Sequence, residues 1–550
     1  MPAAIREAVS RALKKAGISV NAVDIHLEHP ATLIFGDYAT SAAIKYSKEA
    51  GVSPTSLAPK IVSEIEMIAG LLKPTIAGPG FINISVRSEI LTDAIEKART
   101  EDMWGAGFLN KGKKIMIEYT DPNPFKEFHI GHLMSNAIGE SVARLTEFTG
   151  AEVKRANYQG DVGPHVAKAI WGMLKLGVDP SDASALGKAY IAGATAYQED
   201  AGARAEIDAL NAKIYERSDE EINKLYDAGR QTSLEHFEDV YQILGTKFDF
   251  YFFESETAPV GIKLVKKHPN VFVESEGAIV YNGPHTRVFI TSKGLPTYET
   301  KELGLAQMKT EKWPFDSSIT VTAHEQSGYF EVVLAAMKEI LPDLSSKLRH
   351  ITHGMMRLPS GKMSSRTGEV ITGESLLAEL TAAAAERARD SRAADQGQLA
   401  KDVAVAAIKY QILKQASGRD IVFDRERALS LEGDSGPYLQ YAHARACAVV
   451  EKAKEQNVAA KVDASTEPTE LSRLLHRFPE AVEYAARELE PHLLTNYLIE
   501  FASAFNRWYA NEQILDGSAS APHKVALTEA VRRTLKNGLW LLGIPAPEKM

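Results

Sequence analysis

Residues 118–132 read EYTDPNPFKEFHIGH, from Glu118 to His132. Just upstream, KIMIEY from Lys114 to Tyr119 has the length and apolar run of a short buried strand. Downstream, Met134, Ile138, Val142, Leu145 and Phe148 recur at helical spacing until Gly150 stops the run. A second strand-like run, AEVKRANY at Ala151 to Tyr158, follows at once. Strand, loop, helix and strand make a βαβ unit, whose crossover is right-handed and whose ligand crevice lies at the carboxyl ends of the strands. The quoted loop sits in that crevice.

Within the loop, His129 and His132 stand at i and i+3 and share one face of a helix start, while Gly131 allows a close approach to the backbone. A helix amino terminus favours anions, and neutral imidazoles can donate hydrogen bonds to phosphate. Lys126 adds a positive charge. Alone, two histidines near a turn are more often a surface or helix-capping pair. Much later comes Ser360 to Gly368, SGKMSSRTG, a Gly- and Ser-rich loop carrying Lys362 and Arg366 behind a strand-like HITHGMM at His350 to Met356. Alone, it is a solvated basic turn; beside the first loop, it is a second phosphate-loop candidate.

Together the two loops resemble the HIGH and KMSKS signatures of the class I aminoacyl-tRNA synthetases. Further segments narrow the resemblance to the arginyl-tRNA synthetases: Pro122-Asn123 and Lys126 before the histidines, NYQGDVG at 157–163, LPTYETKELG at 295–304, HEQSGYF at 324–330, SGPYLQYAHARA at 435–446 and LLGIPAPEKM at 541–550. The resemblance runs nearly end to end. It implies a multidomain α/β protein: a Rossmann-like parallel-sheet catalytic domain, an N-terminal α/β domain and an all-α C-terminal anticodon-binding domain. It also implies ATP with Mg²⁺ as the energy source, L-arginine and tRNA(Arg) as partners, a monomer, and a cytoplasmic setting.

By the same resemblance, Lys126, His129, His132, Lys362 and Arg366 carry catalysis at the phosphates, and Gly131, Gly354, Met355, Met363, Ser364 and Ser365 hold the nucleotide. Glu118, Asp121, Asn123, Tyr298, Glu302 and Gln326 hold arginine, and Phe81, Asn83 and Tyr509 meet tRNA. The chain departs from the family pattern in two places. Ser365 stands at the second lysine of KMSKS and Arg366 at its final serine, and Glu302 stands where Asp is usual. Lys126, upstream of the first histidine, matches arginyl enzymes that lack that second lysine.

These residue types suit the implied chemistry. Joining a carboxylate to the α-phosphorus of ATP and passing the acyl group to a ribose hydroxyl need in-line positioning and neutralised phosphate charge more than a nucleophile and base. A guanidinium is a planar fork of donors that a carboxylate matches bidentately. Tyr298 and Glu302, four apart at a helix start, face the same way. An acidic pocket of this kind rejects analogues lacking the partner group by ~10⁴ or more, which makes a separate editing domain unnecessary. In isolation the same pair would be an exposed helix turn beside Lys301.

Bulk composition fits this reading. The 550 residues suffice for about three or four domains, and 45% hydrophobic with 25% charged residues is ordinary for globular protein. A net charge of −9 argues against a general nucleic-acid binder without excluding local basic surfaces. The single cysteine, Cys447, rules out an internal disulfide framework and a cysteine-rich zinc site, and fits a reducing compartment. No His/Cys cluster has metal spacing, so no metal ligand is assigned. The basic amphipathic start, MPAAIREAVSRALKKAG, lacks the apolar core and cleavage pattern of a signal peptide, and no run reaches the ~18 apolar residues of a membrane span.

In chain order, residues 1–107 form a small α/β domain. It comprises a first helix with Ile5, Val9 and Leu13, a strand-like HLEHPATLIFGDYAT at 26–40, and a turn into a strand at GPGFINISV, 78–86. The Phe81 and Asn83 pair meets the tRNA elbow by resemblance; by itself it reads equally as a buried Phe in a strand and an Asn turning the chain. Residues 108–390 form the catalytic domain, with a helical insertion at about 175–245 that is rich in Ala, Glu and Lys. Within it, NVFVESEGAIVYNG and TRVFITSKG predict a β-hairpin region before a helix opening at Leu295. Residues 391–550 form the helical domain, broken by a loop at 456–470. There Tyr438, Tyr441 and Arg445 share helical spacing and Trp508 with Tyr509 lies beside Arg507, although Tyr438 and Tyr441 suit a helical core better than base stacking.

Three other readings compete: a class I synthetase for another amino acid, a nucleotidyltransferase on the same βαβ site, and a non-catalytic tRNA-binding paralogue. The Glu118, Tyr298 and Glu302 set, the long helical carboxyl-terminal region and the presence of both signatures argue against each in turn.

Overall fold

The computed structural model describes residues 1–359 and 371–550. At its centre lies a five-stranded sheet of β1 (Lys114–Glu118), β2 (Glu152–Gln159), β3 (Phe250–Phe253), β4 (Ser317–Ala323) and β5 (Leu348–His353). The spatial order is β5-β4-β1-β2-β3, and every neighbouring pair is parallel. Chain order reverses between β1 and β4, the topological switch point at which doubly wound sheets bind ligands. The loop after β1 opens there.

That loop leads into helix α1 (Ile130–Phe148), which is buried along nearly its whole length. Its apolar residues Leu133, Met134, Ile138, Val142 and Leu145 pack inward. Burial on all sides requires its polar side chains to find partners. Ser135 Oγ accepts the Thr120 N–H at 3.0 Å and donates to the Val321 carbonyl at 2.8 Å. Asn136 Nδ2 donates to Thr120 Oγ1 at 3.1 Å. Glu140 meets Arg144 at 2.6 Å, Arg155 at 3.4 Å and the Tyr119 hydroxyl. Although burial works against it, the two guanidinium groups hold the Glu140 carboxyl below its usual range. Gly139 is required where it stands, since a Cβ there would lie 2.2 Å from the Tyr119 ring.

The expected insertion is helical throughout, with helices at Ala183–Glu199 and Ala201–Glu216 and a long α2 at Glu220–Leu244. The hairpin region is a three-stranded antiparallel sheet of Phe272–Ser275, Ala278–Asn282 and Thr286–Ile290. The next helix, α3, spans Tyr298–Lys312, starting later than Leu295 because Pro296 still bridges to Ile290. Helix α4 (Gly373–Arg387) opens the helices that follow the second signature. Among them, Ile421–Val422 forms a two-residue parallel ladder with Met356–Arg357, an element that the helical reading of 391–550 did not include.

The chain forms two compact units. One comprises Ala106–Tyr441, Val482–Asn496 and Gly538–Met550; the other comprises Met1–Gly105, Ala442–Ala481 and Tyr497–Asn537. In the first, the closing residues anchor to the back of α1, where Ser141 Oγ donates to the Leu541 carbonyl at 2.9 Å and Arg144 to the Trp540 carbonyl at 2.8 Å.

In the second unit, Ile5, Val9 and Leu13 of the first helix join a core with Leu57, Ile61 and Ile82, over a small antiparallel sheet. The stretch 26–40 is mostly not strand. Only Tyr38–Thr40 is, with a lone bridge from Glu28 to Ala39 and a 3₁₀ turn at Leu33–Phe35. Pro30, which has no N–H to donate, follows the bridge at once. Ion pairs join this α/β part to the helices of its own unit: Arg473 pairs with Asp37, Arg99 with Glu529 at 3.4 Å, and Arg533 with Asp102.

Candidate active site

Three strands of the central sheet, β1, β4 and β5, lead into candidate residues at their carboxyl ends, and parallel strands bring those ends to one edge. Glu118 ends β1 and is buried. The backbone then leaves the strand under strain, with positive φ at Thr120 (82°), Asp121 (48°) and Phe125 (67°). A β-branched threonine rarely adopts this region, and such strain persists where the surroundings enforce it. Here α1 enforces it, Ser135 Oγ accepting the Thr120 N–H and Asn136 Nδ2 donating to Thr120 Oγ1.

Three carboxylates gather around one ammonium. Glu118 forms an ion pair with Lys309 of α3, both side chains being almost wholly buried. Asp121 accepts the Tyr158 N–H at 2.8 Å; burial first, and the Glu118 charge second, push its carboxyl well above the usual range. Glu302, on α3 with Lys309, is pushed up to about 8 by burial and then by Glu118, against the pull of Lys309. Glu302 and Lys309 line a small cavity with Ala306, Thr320 and Phe330. Tyr298 begins α3 and is 59% exposed, and the Tyr329 hydroxyl donates to its carbonyl at 3.2 Å. Gln326 is exposed in a 3₁₀ turn just past β4. Asn123 faces Gly160 so closely that a Cβ there would stand 2.3 Å from its Oδ1.

The histidine pair closes the same loop, at the start of α1. The rings of His129 and His132 stack with centroids 3.4 Å apart, and the His129 N–H donates to His132 Nδ1 at 3.2 Å, fixing the first turn of α1. Gly131 lies against this pair, since a Cβ would come within 3.0 Å of the His129 ring. Burial, then the charges of His129 and Lys126, hold His132 well below its ordinary value. Although its edge is open to solvent, crowding by protein, and then Lys126 and His353, bring His129 down to about 4. Both are therefore neutral at neutral pH and can donate from one nitrogen. Lys126 lies 5.0 Å from the Tyr190 ring centroid; burial, then Lys168, lower its pKa.

Past β5, Gly354 packs against Arg419, where a Cβ would meet the backbone at 2.3 Å, and the Met355 N–H donates to Asp420 at 2.8 Å. Lys362, Met363, Ser364, Ser365 and Arg366 lie outside the described residues. Phe81, Asn83 and Tyr509 belong to the other compact unit. Phe81 is 39% exposed and Asn83 half-buried, both on the outward side of their strand, so Phe81 is not a core residue. Tyr509 is exposed, with the Arg445 guanidinium 4.8 Å from its ring centroid, whereas Trp508 packs against a buried cluster of Val449, Ala453, Ile514 and Val525. Tyr438 and Tyr441 are half-buried.

The structure adds charged residues that the motifs did not single out. Glu254 follows β3 and pairs at 2.6 Å with Lys301, both buried, so Lys301 is no exposed neighbour of Tyr298. Its one visible sign in the sequence is a carboxylate closing an apolar run, FYFFE, as Glu118 closes KIMIE. Asp161, wholly buried, meets Arg230 of α2 at 2.9 Å and the Ser255 N–H at 2.8 Å, joining the loop after β2 to the insertion. Chemically, the edge offers a pocket lined by carboxyl groups that a planar cation can pair with, and neutral donors on the positive end of a helix, a place for phosphates.

Comparisons with known proteins agree with this arrangement along the whole chain. Residues 95–425 match the family model described as tRNA synthetases class I (R), catalytic domain. Residues 3–86 match the arginyl tRNA synthetase N terminal domain, and residues 439–550 the DALR anticodon binding domain. The arginine–tRNA ligase of Treponema denticola is 30% identical over 96% of this chain and 95% of its own length. That of Clostridioides difficile is 30% identical over 99% of both chains. The solved arginyl-tRNA synthetase of Thermus thermophilus superposes with a TM-score of 0.83 at 25% identity, covering 100% of this chain and 99% of its own. With the strand-end carboxylates and the histidine pair inside the catalytic match, the chain belongs to the class I arginyl-tRNA synthetases.

Proposed function

We propose that this chain is an arginine–tRNA ligase, activating L-arginine with ATP to arginyl-adenylate and pyrophosphate and then transferring arginine to the 3′-terminal ribose of tRNA(Arg). The observation that carries the reading is the placement of Glu118, Asp121 and Glu302 on the same sheet edge as the neutral pair His129 and His132. A cationic side chain entering the acidic pocket leaves its carboxylate toward the helix start, where the α-phosphate of ATP would lie. Glu302 offers the guanidinium a carboxylate, and Tyr298, one turn earlier at the start of α3, would cover it. Asn123 and Gln326 hold the amino and carboxylate end. His129, His132 and Lys126 donate to phosphate oxygens as charge shifts toward pyrophosphate, with Lys362 and Arg366 sharing that charge; Gly131, Gly354, Met355 and the 363–365 stretch hold the nucleotide.

A magnesium ion suits this scheme as a partner of ATP. Among the described residues no group of three His, Cys, Asp or Glu side chains is placed to hold a metal, and the ion would come with the phosphates of ATP. It would supply further charge neutralisation. Phe81, Asn83 and Tyr509 are proposed tRNA contacts, the two exposed aromatic faces being suited to stacking on unpaired bases. The division at 1–107, 108–390 and 391–550, a monomeric state and a cytoplasmic setting complete the proposal. Among the described residues no helix is long and apolar enough to cross a membrane.

The test is charging. Purified protein with ATP, Mg²⁺, total tRNA and each labelled amino acid in turn should make only arginine acid-precipitable, on tRNA(Arg). Attachment of a different amino acid would keep the fold and discard the pocket assignment.

A further inference from the structure

We infer that Glu374 is a positioning residue for the adenylate-forming step, bracing the backbone that carries His129 against two separate helices; the inference rests on the reading of the site given under Proposed function. Glu374 lies in the first turn of α4, the helix that follows the second signature in the chain. That helix start needs nothing from it. Thr372 and Ser375 already cap it reciprocally, with the Ser375 N–H donating to Thr372 Oγ1 at 3.0 Å and the Thr372 N–H to Ser375 Oγ at 3.0 Å.

The Glu374 side chain instead reaches away from its helix. Oε1 accepts the N–H of Phe128, the residue directly before His129, at 3.2 Å. Oε2 meets His236 Nε2 of α2 at 2.8 Å. Beside it, the Gly373 N–H donates to the Phe128 carbonyl at 2.8 Å. Both backbone polar groups of Phe128 are thus held by residues 373 and 374. The approach is close: a Cβ on Gly373 would stand 3.0 Å from the Phe128 carbonyl oxygen and 3.1 Å from that of His129. Three residues earlier, α2 holds the same loop again, Ser233 Oγ accepting the Phe125 N–H at 2.9 Å. A cavity of about 100 Å³, lined by Phe125, Lys126, Ser233, His236 and Glu374, runs along this bracket, so apolar packing does not fill the space behind the loop.

The Glu374 and His236 side chains are about one-third exposed, and ion pairs of that kind contribute little to stability. Displacement of a reacting group by about 1 Å, by contrast, can cost ~10²-fold in rate. A carboxylate holding the backbone one residue before His129 therefore matters chiefly for where the imidazoles point. A purely structural role and a positioning role predict different variants.

The experiment compares wild type, Glu374→Ala, Glu374→Gln and His236→Gln in arginine-dependent ATP–pyrophosphate exchange, run both with and without total tRNA, with a thermal melt of each. Glu374→Ala should lower kcat by roughly 10- to 100-fold while KM for arginine and ATP changes by less than about threefold and the melt is unshifted. Glu374→Gln keeps an acceptor for the Phe128 N–H and should recover most of the rate. His236→Gln removes only the ionic partner and should cost less than Glu374→Ala. Unchanged kcat in Glu374→Ala, or a loss that tracks a lowered melt and is not rescued by Gln, overturns the inference. An inactive wild type would sink the functional reading instead. The positioning claim would then be read from the ¹⁵N signals of His129 and His132, which Glu374→Ala should move and Glu374→Gln should not; signals alike in all variants would overturn it.

Discussion

At the scale of single residues, the pocket is set by charge compensation. Glu118 is a carboxylate closing a strand, and the structure gives it a partner, Lys309, on a helix far along the chain. With Glu118 so engaged, and Asp121 accepting the Tyr158 N–H at 2.8 Å, Glu302 is the carboxylate left to answer an incoming guanidinium. Burial and the Glu118 charge hold it largely protonated at neutral pH, its pKa being pushed up to about 8. Pairing with a guanidinium needs the charged form. Arginine binding should therefore expel close to one proton near pH 7, and affinity should rise with pH until about pH 8 and then level off, since below that value part of the binding energy goes into deprotonation. Calorimetric titration of arginine at pH 7 in two buffers of different ionisation enthalpy measures the proton count directly. Glu302→Gln should weaken binding and abolish the release; a wild type that releases no proton contradicts the assignment of Glu302 as the guanidinium partner.

At the scale of elements, the proposed function makes the start of α1 a donor site, and its two imidazoles are stacked and neutral, as that role requires. Their low pKa values place their titration below the ordinary histidine range, so adenylate formation should show no limb near pH 6.5 attributable to them. Replacing either His129 or His132 by Ala should lower the single-turnover rate of adenylate formation by ~10²–10³, as removal of a transition-state donor does, with arginine affinity nearly unchanged. A rate within about threefold of wild type would remove the pair from the chemistry.

These elements were largely legible in the sequence, and the reason is periodicity. KIMIEY and AEVKRANY are short runs between turns, and Met134 to Phe148 repeats at helical spacing, so β1, α1 and β2 appear within a residue or a few of their expected limits. The 26–40 stretch misled because its apolar residues, Leu33 to Phe35 among them, form a 3₁₀ turn beside a proline. Local pattern could not show Lys309 beside Glu118, Lys301 beside Glu254, or Glu374 beside Phe128. Each of these pairs joins residues distant in sequence, and only the sheet order and helix packing bring them together.

At the scale of the whole molecule, family resemblance carried what residue patterns could not. The composition, with its net charge of −9, gives no sign of a tRNA partner, and aromatic residues at helical spacing suit a core as well as a base-stacking face. The structure separates the two for Trp508, which packs inward, and Tyr509, which is exposed. It also shows the N-terminal α/β part and most of the late helices as one compact unit, a grouping of distant segments that no reading along the chain supplies. The catalytic unit, by contrast, builds its central sheet from five strands that follow one another through residues 114–353.

The central claim is that this sheet edge selects arginine and activates it. Its most direct test is ATP–pyrophosphate exchange by the purified chain with arginine, lysine and citrulline, each with and without total tRNA. The account predicts exchange with arginine, and discrimination of ~10⁴ or more against citrulline, which cannot supply the cation that the buried carboxylates are built to meet. Comparable exchange with lysine or citrulline, or none with arginine under either condition, would contradict it.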